Sequence, residues 1–108
     1  QIPNMQKFSD ILPTLAPADG VQRISLSHAD GRNAGVIENK PGSQGSIRVY
    51  HHLQQKWGTL GSEAAQEGLV IYAEHTEDAK LNPGKHPNID RLFEIIKSQQ
   101  ALNIKIER

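Results

Sequence analysis

Residues 21–39 read VQRISLSHADGRNAGVIEN, and this stretch decides the fold. From Val21 to Ala29 apolar and polar side chains alternate. Ile24 and Leu26 point one way; Arg23, Ser25 and Ser27 point the other. A period of two is that of a half-buried β-strand. Asp30-Gly31 follows, a strong signal for a two-residue type I′ hairpin turn, which needs positive φ at both positions. Arg32 to Asn39 then returns as a second strand, with Val36 and Ile37 as its apolar residues. A hairpin with one apolar face needs cover, and the rest of the chain must supply it.

Downstream, residues 40–46 (KPGSQGS) form a loop by composition. The loop opens a helix over about 46–57, in which Ile47, Tyr50, Leu53, Gln54 and Trp57 share a face. Gly58 sits where a left-handed cap is wanted. Ser62 is placed to cap a long second helix, carried by the stripe Ala65, Leu69, Tyr72, Thr76 and Ala79 and stopped by Pro83. Gly68 inside it is expected to cost about 1 kcal/mol relative to alanine. The run from Leu69 to Tyr72 also fits a short buried strand. Asn88 caps a third helix, with Ile89, Leu92, Phe93 and Ile96 at spacing i, i+3, i+4, i+7. Leu102, Ile104 and Ile106 alternate with polar residues as a third strand. Upstream, Phe8, Ile11, Leu12 and Leu15 keep helical spacing across Pro13, which implies a short, broken helix.

The element order is α-β-β-α-α-α-β. The economical architecture is an α+β domain: a three-stranded, mostly antiparallel sheet of order 2-1-3 with helices packed on one face. Pairing of the last strand with the second is the alternative. Residues 1–4 are expected to be a non-native remnant ahead of a natural start at Met5, and 5–108 a single domain.

Twelve basic and twelve acidic residues leave a formal net charge of zero over 108 residues. That argues against a nucleic-acid partner, which calls for a basic excess. The chain has no cysteine, so disulfides, zinc–thiolate sites and cysteine catalysis are excluded. No apolar stretch approaches the ~20 residues of a membrane span, and no secretory leader is evident. A cytoplasmic protein with no membrane partner is expected.

Up-down-up packing of the later helices brings three separated segments to one end. These are the loop at 40–46, the tail of the second helix with His75 and Asp78, and the loop at 83–88 with Lys85 and His86. Two helix N-termini there carry unpaired N–H donors and positive dipole ends. Gly42 and Gly45 would let the main chain approach a ligand. Ser43 and Ser46 offer hydroxyls, and Lys40, Lys85 and His86 offer charge, which together describe an anion cradle. The alternative is a solvent loop with a serine cap. His75, within reach of Asp78 three residues on, and His86 are the candidate catalytic groups. No cofactor fingerprint is present: the Gly/Ser loop lacks the ending of a phosphate-binding P-loop. The five histidines show no metal-ligand spacing, so no metal site is expected. Glu63, Glu67, Glu74 and Glu77 read as a solvated face.

Residues 38–46 (ENKPGSQGS), 73–76 (AEHT) and 83–92 (PGKHPNIDRL) resemble those of a family of small uncharacterised bacterial proteins, found mainly in proteobacteria. The resemblance covers most of the chain from about Val21 onward. It implies a bacterial cytoplasmic origin and hands over no catalytic residues. Binding of a small phosphate- or carboxylate-bearing ligand is the leading reading. An interaction module or homodimer using an exposed sheet edge is the alternative, and enzymatic activity is left open.

Overall fold

The computed structural model describes residues 6–108; the remnant expected at residues 1–4 lies outside them. The chain starts with a short helix α1 (Phe8–Ile11) that runs into a 3-10 turn at Leu12–Thr14. Pro13 sits inside that turn, as its missing N–H and fixed φ require. Strands β1 (Arg23–Ser27) and β2 (Asn33–Glu38) follow, then helices α2 (Gln44–Trp57), α3 (Ser62–Tyr72), α4 (Glu74–Leu81) and α5 (Pro87–Ser98), and strand β3 (Asn103–Glu107). The sheet order is β2-β1-β3, with both pairings antiparallel. Fold class and strand order therefore agree with the alternation read from Ile24, Leu26, Ile104 and Ile106.

The hairpin turn differs in detail. Gly31 N–H bonds to the His28 carbonyl at 2.9 Å, and His28 N–H bonds to the Arg32 carbonyl at 2.8 Å. The loop is thus three residues, Ala29, Asp30 and Gly31, and only Gly31 has positive φ, at 91°. A type I turn closed by a left-handed glycine fits the strand twist as well as the two-residue turn does. Asp30 is spared positive φ and accepts from Arg32 instead.

Ile24 and Leu26 are fully buried under the helices, together with Ile37 of β2. From α2, Ile47, Val49, Tyr50 and Leu53 meet them; α5 adds Ile89, Leu92 and Ile95. The other sheet face is polar. Arg23 bridges Glu38 at 3.2 Å and Glu107 at 3.3 Å, and Ser25 also bonds Glu107. Trp57, expected on the buried face of α2, is 39% exposed, and its indole N–H donates to Glu67.

The expected long second helix is broken into α3 and α4. Ala73 has φ 53° and ψ −118°, so the chain turns there. Leu69 to Tyr72 is helical, which removes the strand alternative. Gly68 faces the partner helix: a Cβ there would sit 2.7 Å from Leu92 Cδ1 and 3.1 Å from Leu53 Cδ1. The glycine sets the approach of α3 to α5, so its helix cost is offset by packing.

Gly68→Ala gains about 1 kcal/mol of helix propensity but overpacks a closed contact, at a cost of about 1–3 kcal/mol. The expected net is a lower Tm by a few degrees, and a much larger drop for Gly68→Val. A raised Tm for Gly68→Ala would contradict the packing role.

Candidate functional site

An open hollow of about 650 Å³ lies where the starts of α2 and α5 meet the break at Ala73. Residues 42–46 line one side and residues 85–89 another. Tyr72 and His75, on either side of the break, form the floor with Phe8 and Leu12 of the N-terminal segment. The three segments that topology was expected to bring together do share one cavity. Gly42, Ser43, Gly45, Ser46, Lys85, His86 and His75 all line it, whereas Lys40 is not among the lining residues.

Local chemistry explains each placement. Ser43 precedes α2 as its cap residue, but its hydroxyl turns back to donate to the carbonyls of Glu38 and Lys40. His86 precedes α5, and Pro87 takes the first helical position, where its missing N–H costs nothing. No side chain among the described residues caps either start. Ser46 shares a hydrogen bond of 2.7 Å with the Tyr72 hydroxyl, tying α2 to the end of α3. Burial pushes the Tyr72 phenol far above its ordinary range, so it stays protonated. Thr76 closes the break by donating its hydroxyl to the Leu69 carbonyl, an orphan acceptor at the end of α3.

Asp78 is the electrostatic hub. His86 Nε2 lies 2.7 Å from Asp78 Oδ2, and Lys85 Nζ lies 2.9 Å from the same oxygen. These partners, His86 first, hold the Asp78 carboxyl down at about 2. The expected His75–Asp78 contact is not made: the Asp78 carboxylate is engaged by His86 and Lys85 instead. His75 instead packs edge-on against Phe8 at 5.3 Å between centroids, and lies 5.7 Å from the His86 ring. Its nearest carboxylate is Glu74, at 3.9 Å.

Both loop glycines also have a role within the fold. Gly42 has φ 96° and open space where a side chain would be, so it is present for the turn. At Gly45 a Cβ would lie 3.1 Å from the Phe8 ring, so this close approach is to Phe8. The acidic residues of α3 and α4 are also less idle than a solvated face. Glu67 joins His52 at 2.6 Å, Lys56 at 2.8 Å and the Trp57 indole. Glu74 accepts the Phe8 N–H at 2.8 Å, which holds its carboxyl below the ordinary range. Arg48 donates to the Leu15 carbonyl and so pins the N-terminal segment. His51 is buried with Nδ1 unpartnered, and burial pushes its pKa down. Among the described residues no three metal-type side chains gather.

Phe8 and its contact with Tyr72 are not legible in the sequence as parts of this end. The only available signal was apolar spacing in residues 8–15, which says that a segment packs but not where.

Asp78 supplies stability that is present above its unfolded value of 3.8 and lost as pH falls toward 2. Asp78→Asn should flatten the loss of stability between about pH 4 and 2. An unchanged slope would place Asp78 outside any ion pair in solution.

No helix among the described residues is long and apolar enough to cross a membrane. No curated protein and no solved structure matches the chain. A family model described as "Uncharacterized protein conserved in bacteria (DUF2322)" matches residues 8–106. On that match, the chain belongs to this uncharacterised bacterial family.

Proposed function

We propose that this protein binds a small phosphate- or carboxylate-bearing ligand in the hollow between α2 and α5. The observation that carries the reading is the convergence there of two uncapped helix starts with Lys85, His86 and His75. Unpaired N–H groups at a helix start attract negative charge, and cations from a separate segment add to that field. Lys85 is held in place by Asp78 and needs only to turn toward an incoming oxyanion. His86, with Nε2 engaged by Asp78, keeps Nδ1 for a ligand, and is the hollow's best group for moving a proton. His75 is the second such candidate.

Phosphate at one hundred times its Kd should add about 2.7 kcal/mol of stability, which raises Tm by about 10 °C or more. Lys85→Ala should weaken binding about tenfold, the worth of one charge-assisted hydrogen bond. Lys40→Ala should leave it unchanged. No shift with phosphate, sulfate or acetate would overturn the reading.

A second reading, pairing with another copy or a partner strand at a sheet edge, is favoured by one observation. Val36 on outer strand β2 is 48% exposed, whereas β3 is guarded at its start by the Leu60–Leu102 bridge. Exposed edges template further strands, and a charge there blocks them. A dimer on gel filtration that Val36→Lys dissociates would support this reading; a monomer at high concentration would end it.

A further inference from the structure

An oxyanion alone does not account for this cavity. Its volume of about 650 Å³ falls within the ~300–1,000 Å³ of small-molecule sites and greatly exceeds the size of a phosphate ion. Much of its wall is carbon: Phe8, Leu12, Tyr72, Pro87 and Ile89. Inorganic phosphate has nothing to offer those surfaces.

Four of the lining residues carry rings in unbroken contact. Phe8 stacks on Tyr72, with centroids 5.3 Å apart and planes 20° apart. His75 meets the edge of Phe8, and His86 tilts against His75. The His86 end of this row is anchored by Asp78, the Tyr72 end by Ser46, and Phe8 between them by the Glu74 contact with its N–H. The row therefore presents a supported aromatic surface beside the cationic rim. His75 keeps 42% of its side chain exposed, so its ring has free area for a partner.

We propose that the ligand is a small organic phosphate bearing a planar ring, of nucleoside monophosphate size. The ring would lie along Phe8, His75 and His86, and the phosphate at the starts of α2 and α5. This rests on the anion-binding reading above and adds the ring to it. Ring-on-ring contact of this kind contributes at least about fivefold in affinity.

Calorimetry on the whole protein with four probes separates the claims: inorganic phosphate, ribose 5-phosphate, adenosine monophosphate and adenosine. The monophosphate should bind at least about fivefold tighter than either ring-free phosphate. Phe8→Ala should remove that advantage, bringing the monophosphate to the affinity of ribose 5-phosphate measured on the same variant. Equal binding of the three phosphates would overturn the ring and leave the anion reading intact. Adenosine binding as tightly as its monophosphate would keep the ring seat and overturn the anion reading. Binding by none would overturn both. The probe comparison uses the unmodified chain, so it stands even if Phe8→Ala fails to fold.

Discussion

Ala73 holds a backbone conformation that a side chain with a Cβ rarely adopts, and the end of the molecule that carries the hollow depends on it. With φ at 53° and ψ at −118°, it stops α3 and restarts the chain as α4. Such a residue costs on the order of 1–3 kcal/mol and persists only when its surroundings over-determine it. Here they do. Tyr72 is locked before it by burial and Ser46, and Thr76 is locked after it by the Leu69 carbonyl. The consequence is directional. Beyond the turn, α4 carries Asp78 to Lys85 and His86 and His75 to Phe8.

The rest of the molecule is a support for that turn. The hairpin buries Ile24, Leu26 and Ile37, and three core helices close over them. Gly68 lets α3 approach α5 closely, which brings the end of α3 near the start of α5. Arg48 and Glu74 then hold the N-terminal segment from two sides, one through the Leu15 carbonyl and one through the Phe8 N–H. Phe8 fills the space that a side chain at Gly45 would take. Core, loop and N-terminal segment thus meet at the same hollow.

Period-two alternation in 21–39 and 102–106 was enough to place all three strands, because a one-residue slip would expose every buried side chain. The 3.6-residue spacing from Ile89 to Ile96 placed α5 for the same kind of reason. Short links then implied the shared end, and six of the seven residues assigned to the cradle line one cavity. Lys40 failed because its place in the loop says nothing of where its long side chain goes. The break at Ala73 was illegible: neither glycine nor proline marks it, and its causes are the tertiary bonds of Tyr72 and Thr76. The Asp78–His86 pairing spans the turn between α4 and α5, where spacing along the chain gives no side-chain direction. Asp30-Gly31 serves two- and three-residue loops alike, so the dipeptide does not fix the length of the turn after β1. Propensity alone makes Gly68 a helix defect, whereas the neighbours that require it, Leu92 and Leu53, are distant in sequence.

The helix breaks at Ala73 with positive φ, and Ala73→Gly tests that conformation by sign. Glycine relieves the strain, minus about 0.4–1 kcal/mol of unfolded-state entropy, so chemical denaturation should show a gain of about 1 kcal/mol. In an unbroken helix the same substitution would cost about 1 kcal/mol. A measured loss of that size would contradict the account.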